Sequence, residues 1–351
     1  MTDESLELFR DPEGSSCKPR RFVVASLAAC LGLLGAVLAL NVTLDPFALA
    51  GTGVVPPAVE DDRSIKLTLI EELDRSPEVL ILGSSRARMA EPAFLQTLIG
   101  RTGFNAAVTG GTAADAWVMA RFTADRFPNQ PRRYVWFVDV GVATNGINPQ
   151  LAADPRAKKY LKEAKGFRLE DVGTYIGTDA TKASWRVFRK CVIRTCKRPI
   201  LYLPDGSIAH GSLRYLPEQA ASLERSVAEL VASIRRNPPG PIKNIDPKRY
   251  VFFEQMIAWA NEHGSRPVIV LNPIYPSVLQ ELNKYGFPMK KASMQYLRDL
   301  QRRLDFAVVD GQNIYAWGGK PIDFANATHV NWKNMRRLLE YIVARSDGAL
   351  K

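Results

Sequence analysis

Four segments of the chain carry residue types suited to nucleophilic chemistry. Gly83-Ser84-Ser85-Arg86 follows the apolar run Val79-Leu80-Ile81-Leu82. Asn105-Ala106-Ala107-Val108-Thr109-Gly110-Gly111 follows a short run around Phe104, and Gly141 to Asn145 follows Tyr134-Val135-Trp136-Phe137-Val138. Asn326-Ala327-Thr328-His329-Val330-Asn331-Trp332 precedes the last helical stretch. A serine hydroxyl is a poor nucleophile until an adjacent base accepts its proton, and an imidazole can be that base. Of three histidines, only His329 stands in such a segment; His210 and His263 read as solvated residues. Taken singly, Gly-Ser-Ser is a common helix cap and a histidine before a helix is commonly structural. The set together suits nucleophilic catalysis by a serine with a histidine base.

The elements that must position these segments alternate. The pattern predicts helices near 64–73, 92–100, 112–126, 247–263, 290–304 and 331–346. It predicts strands at 78–82, around 104, at 134–138, 267–271 and 306–309. Strands alternating with helices of this length imply a parallel α/β sheet covered on both faces. In such a sheet ligands bind beyond the carboxyl ends of the strands, where the four segments fall.

Residues 151–245 break this rhythm and hold 18 Lys/Arg against nine Asp/Glu, most of the chain's net charge of +11. Lys182, Arg186, Arg189, Lys190, Arg194, Lys197 and Arg198 run without an acid among them. The stretch reads as an insertion with a basic surface: either a solvated helical face or a contact for anionic glycan or lipid headgroups.

Phe22 to Leu40 is free of charge, with Lys18, Arg20 and Arg21 before it and Asp45, Glu60, Asp61 and Asp62 after it. Nineteen residues at about 1.5 Å each approach the roughly 30 Å of a bilayer core. The basic flank leaves residues 1–21 in the cytoplasm, makes 22–40 a transmembrane anchor and sends the rest outward, periplasmic or otherwise extracytoplasmic, through a linker at 41–62. A cleaved signal peptide ending near Ala48-Leu49-Ala50 is the rival reading, and Leu27-Ala28-Ala29-Cys30 resembles a lipoprotein box. Outside the cytoplasm, Cys191 and Cys196 could form a disulfide or remain two thiols. Four cysteines with three histidines argue against a metal site. No segment reads as a cofactor site, and the compartment, with no base-reading motif, disfavours nucleic acid as a partner.

The order of the four segments resembles the SGNH (GDSL-like) hydrolases, whose Ser, Gly, Asn and His occupy four such loops. Gly83-Ser84-Ser85 stands where that family has Gly-Asp-Ser, which maps the nucleophile to Ser85. Asn105 followed by Gly110 resembles its N-x-G-x-x-G loop, with Ala107 in place of the first glycine; Asn145 stands for its asparagine. The His329 loop resembles that of membrane-anchored members, such as the D-alanine transfer protein of the teichoic acid system and proteins of polysaccharide acetylation and export.

The resemblance covers about residues 78–145 and 266–345. It implies a three-layer α/β/α flavodoxin-like domain over 63–150 and 246–351. It also implies a serine esterase or O-acyltransferase acting on acyl groups of an envelope or exopolysaccharide carbohydrate, without a cofactor. The oxyanion donors would be the N–H groups of Ser85 and Gly110 with the Asn145 side chain. One departure is clear: the family expects an aspartate three residues before the histidine, and Asn326 stands there, with Asp323 three residues further upstream. Either residue could orient His329, with Asp323 favoured as the only carboxylate within twelve residues upstream of it, or the chain could be a catalytically weak module that binds glycan or an export partner. Arg86 and Arg88 flank the nucleophile and could hold an anionic substrate group or pair with surface acids.

Overall fold

Every residue of Val79–Leu82 and of Val268–Leu271 is buried, as in strands covered on both faces. The computed structural model describes residues 19–44, 62–139, 146–163, 202–208, 219–240 and 250–350, with six further residues between 181 and 189. Its strands β1 (Val79–Leu82), β2 (Gly103–Asn105), β3 (Arg133–Val138), β4 (Val268–Leu271) and β5 (Ala307–Asp310) form one sheet. The strand order is β2-β1-β3-β4-β5, and all neighbours are parallel. The protein is thus α/β, as the alternating pattern predicts.

The helices are α1 (Pro19–Leu44), α2 (Asp62–Glu71), α3 (Pro92–Ile99), α4 (Ala113–Arg126), α5 (Pro149–Ala153) and α6 (Pro155–Glu163). After them come α7 (Gln219–Arg236), α8 (Val251–Glu262), α9 (Pro276–Lys284), α10 (Pro288–Leu300) and α11 (Trp332–Arg345). Side chains alternate across the sheet, so each strand feeds two cores. Leu80, Leu82, Tyr134, Trp136, Ile269 and Leu271 join residues of α2, α4, α8 and α10 on one face. Val79, Ile81, Val135, Phe137, Val268 and Val270 join residues of α3, α7, α9 and α11 on the other. Each fully buried Leu, Ile or Val stabilises by about 1.5–3 kcal/mol relative to exposure.

Two helices of the 151–245 stretch take part in this packing. The Trp117 indole N–H of α4 donates to the Tyr160 carbonyl of α6 at 3.1 Å. Leu223 and Val227 of α7 are buried in the second core. Of the acid-free basic run, Lys182 and Arg189 fall among the described residues; Cys191 and Cys196 lie outside them. Among the described residues one helix, within Arg21–Leu44, is long and apolar enough to cross a membrane. Most of its apolar side chains, including Phe22, Leu31 and Leu33, are exposed, while Leu44 at its end is buried.

Candidate functional site

The chain leaves β1 through a glycine that no other residue could replace without strain. Gly83 has φ +146°, and a Cβ there would lie 2.8 Å from the Phe137 carbonyl oxygen of β3. The following turn carries Ser84 and Ser85 outward, closed by the Ala87 N–H donating to the Ser84 carbonyl at 2.9 Å. Asn105, at the end of β2, pins this turn from behind. Its buried amide donates to the carbonyls of Ala87 at 3.0 Å and Ala90 at 2.7 Å, and its oxygen accepts from the Ala107 N–H at 2.9 Å. The resemblance places Asn105 in a glycine motif; the structure shows it stitching two loops together.

The glycine loop then enters α4 through a capping box. The Thr112 hydroxyl accepts from the Asp115 N–H, and the Asp115 carboxylate accepts from the Thr112 N–H. Gly111 packs against Gly83, where a Cβ would fall 2.3 Å from the Gly83 oxygen. The serine turn and the glycine loop are therefore in direct contact.

His329 arrives on a small antiparallel hairpin of β6 (Phe324–Asn326) and β7 (His329–Val330). Its Nε2 lies 2.9 Å from the Ser85 hydroxyl oxygen, across 244 positions of sequence. Its Nδ1 lies 3.0 Å from the Asn326 side-chain oxygen. That oxygen also accepts the backbone N–H groups of Thr328 at 2.9 Å and His329 at 3.0 Å, which fixes the amide's orientation. The Thr328 hydroxyl also lies 3.0 Å from Nδ1 and donates its proton to the Asn326 oxygen. Both neighbours of Nδ1 therefore face it as acceptors, which favours the proton on Nδ1 and leaves the Nε2 lone pair for Ser85. This is the tautomer a general base needs.

Asp323 is not part of this contact. It is held by Arg337 at 2.7 Å and accepts from the Asn331 amide at 3.3 Å. The sequence favours Asp323 as the nearest carboxylate, and the structure corrects this: Asn326 is the residue at the imidazole. The geometry has a local cause: Asn326 and His329 are paired directly across the hairpin, whereas Asp323 precedes it in a 3₁₀ turn.

Arg86 and Arg88 are both engaged with acids, Arg86 with the half-buried Asp139 and Arg88 with the fully buried Asp62. The Arg86 guanidinium donates to the Thr328 carbonyl at 2.7 Å, to the Pro273 carbonyl at 2.6 Å, and to the Asp139 carboxylate. It thereby ties the serine turn to the histidine hairpin and to the ends of β3 and β4. Arg88 reaches the buried Asp62 at 3.3 Å and the Thr109 hydroxyl at 2.8 Å.

Behind the glycine loop lies a buried charged cluster that the sequence reading did not anticipate. Asp62, Arg63 and Lys66 on α2 are all buried. Arg63 forms a bidentate pair with Asp115 at 2.6 and 3.0 Å, and Asp62 accepts the Thr109 N–H at 2.7 Å. Lys66 donates to the carbonyls of Asn105 and Gly206, and burial pulls its amine down to about 7 although Asp62 opposes the shift. Charged residues at i and i+4 of a helix ordinarily signal a solvated face, so no apolar period announces this burial.

Burial, reinforced by Arg86 and then Arg88, lowers His329 from its ordinary range to about 4, with Asp139 opposing. The imidazole is therefore neutral at pH 7 and able to accept a proton. Of the expected oxyanion donors, the Ser85 and Gly110 N–H groups have no hydrogen-bond partner among the described residues. Gly110 takes φ +60° in its loop. Asn145 lies outside the described residues.

No protein-family model matches the chain, and no curated protein matches it in sequence.

Proposed function

We propose that the protein is a serine esterase or O-acyltransferase of the SGNH type, anchored by α1 and working outside the cytoplasm on an acylated carbohydrate of the cell envelope. The observation that carries this reading is the Ser85–His329–Asn326 chain of contacts at 2.9 and 3.0 Å. The strand order β2-β1-β3-β4-β5 supports a flavodoxin-like sheet, and the serine, glycine and histidine loops sit where such sheets bind ligands. The carbohydrate is inferred from the resemblance to anchored envelope proteins.

In this mechanism Nε2 of His329 takes the Ser85 proton as Oγ attacks the acyl carbonyl. The tetrahedral oxyanion is received by the N–H groups of Ser85 and Gly110, each such donor contributing about 3–4 kcal/mol in the transition state. The protonated imidazole then returns the proton to the departing sugar hydroxyl, leaving an ester on Ser85. Water or a second hydroxyl, deprotonated by the same imidazole, releases the acyl group.

Labelling by a fluorophosphonate probe tests the reading: it is expected on the wild type and absent from Ser85→Ala. A second reading, a weakly active binding module, is favoured by Asn326, which supplies no charge to the imidazolium. Glycan binding without labelling would support that module. For the anchor, a reporter fused after residue 60 is expected to be active only outside the cytoplasm; activity only inside would overturn the envelope substrate.

A further inference from the structure

Asn41 is the first residue beyond the uncharged run Phe22 to Leu40 of α1. At about 1.5 Å per residue, that run places Asn41 at the outer edge of a hydrocarbon core of roughly 30 Å. Asn41 is fully buried there, and its amide donates to the Thr181 hydroxyl at 3.3 Å. Leu44 at the end of the helix is buried as well. Thr181 belongs to the basic stretch that interrupts the strand–helix rhythm. The contact therefore brings that stretch to the depth at which α1 leaves the apolar layer.

Thr181, Lys182, Ser184 and Trp185 are helical, and Ser184 is fully buried. Other side chains of the stretch face outward. Trp185 is 59% and Phe188 37% exposed, and their rings stack with 5.8 Å between centres and 21° between planes. Lys182 and Arg189 are exposed beside them. From Ala180 to Pro204 the sequence holds no Asp or Glu, so no local acid offsets these cations.

Stacked rings left in water forgo the burial that aromatic side chains ordinarily contribute. Trp185 lies about one helical turn from Thr181, roughly 5.4 Å of rise, and the headgroup layer on each side of a bilayer core is of similar thickness. Tryptophan is favoured in that layer, where its ring meets apolar carbon and its N–H stays wet. Anionic headgroups in the same layer attract Lys and Arg side chains. A glycan strand would account for the cations but not for the depth that α1 sets.

We propose that Trp185, Phe188, Lys182 and Arg189 form a second membrane contact, seated in the headgroup layer of an anionic phospholipid bilayer beside α1. The contact rests on the reading of α1 as a transmembrane anchor and is independent of the acyl chemistry of Ser85. It fixes the sheet domain against rotation about the anchor.

The full chain reconstituted in vesicles of phosphatidylcholine and phosphatidylglycerol tests it. Resistance to alkaline carbonate extraction is scored first, because it reports on α1 without involving Trp185. Fluorescence is then compared between wild type and Trp185→Phe, which isolates Trp185 from the remaining tryptophans. Phospholipid brominated in the upper acyl chain is expected to quench most of the Trp185 signal, and aqueous acrylamide is expected to quench little of it. Lys182→Glu combined with Arg189→Glu is expected to remove most of the bromolipid quenching while carbonate resistance stays intact. Release by carbonate would overturn the anchor and this contact with it. A retained chain whose Trp185 is quenched by acrylamide and not by bromolipid would overturn the contact alone. So would shielding from both quenchers, which would place Trp185 against protein, or quenching unchanged in the charge-reversed variant.

Discussion

His329 and Asn326 meet side chain to side chain at 3.0 Å, with the amide oxygen locked toward the imidazole by two backbone N–H groups. An amide can select the tautomer as well as a carboxylate can. It cannot stabilise the positive charge that forms when the ring accepts a proton.

The pH dependence should record that difference. Burial and the two arginines hold His329 at about 4, so its basic form persists well below neutrality. The acid limb of kcat/KM on an activated ester is expected to inflect near pH 4 in the wild type. Asn326→Asp adds a carboxylate that favours the imidazolium, so the inflection should move upward and the rate at pH 7 should rise. An unchanged inflection in that variant would remove Asn326 from the imidazole's surroundings.

Asp323→Asn separates structure from catalysis. Asp323 contacts Arg337 and Asn331, not the imidazole. Turnover is expected to stay within a few-fold of wild type. The weakened Arg337 pair should cost about 1 kcal/mol, or roughly 2–4 °C in Tm. A loss of orders of magnitude in kcat without a change in Tm would return Asp323 to the triad.

Arg86 should behave as a positioning residue rather than a substrate clamp. Its three arms end on Thr328, Pro273 and Asp139, which fixes the histidine hairpin against the serine turn. Displacement of the reacting groups by about 1 Å can cost about 10²-fold. Arg86→Ala is therefore expected to lower kcat on neutral and anionic esters alike, with KM little changed. A selective loss on anionic esters would instead make Arg86 a binding residue.

How much of this could be read beforehand depended on what each feature looks like along the chain. The strands were legible because runs such as Val268–Leu271 are apolar at every position. The Ser85 and His329 loops were legible because they follow or precede such runs. Helix α2 begins two residues before the sequence pattern suggests, since its first turns bury Asp62, Arg63 and Lys66, which carry no apolar signal. Helices α7 and α9 passed unnoticed: α7 lies inside the charged stretch, and α9 is a short helix after Pro276. The choice between Asn326 and Asp323 was settled by hairpin pairing, which spacing in sequence does not reveal.

The most direct test of the account is to trap the acyl-enzyme. The protein would be mixed with p-nitrophenyl acetate, quenched in acid during turnover, digested and examined by mass spectrometry. One acetyl group on Ser85 is predicted, absent in both Ser85→Ala and His329→Gln and retained in Ser84→Ala. Ester hydrolysis with the acetyl group on Ser84, or undiminished hydrolysis by Ser85→Ala, would contradict the proposed chemistry of the Ser85–His329 pair.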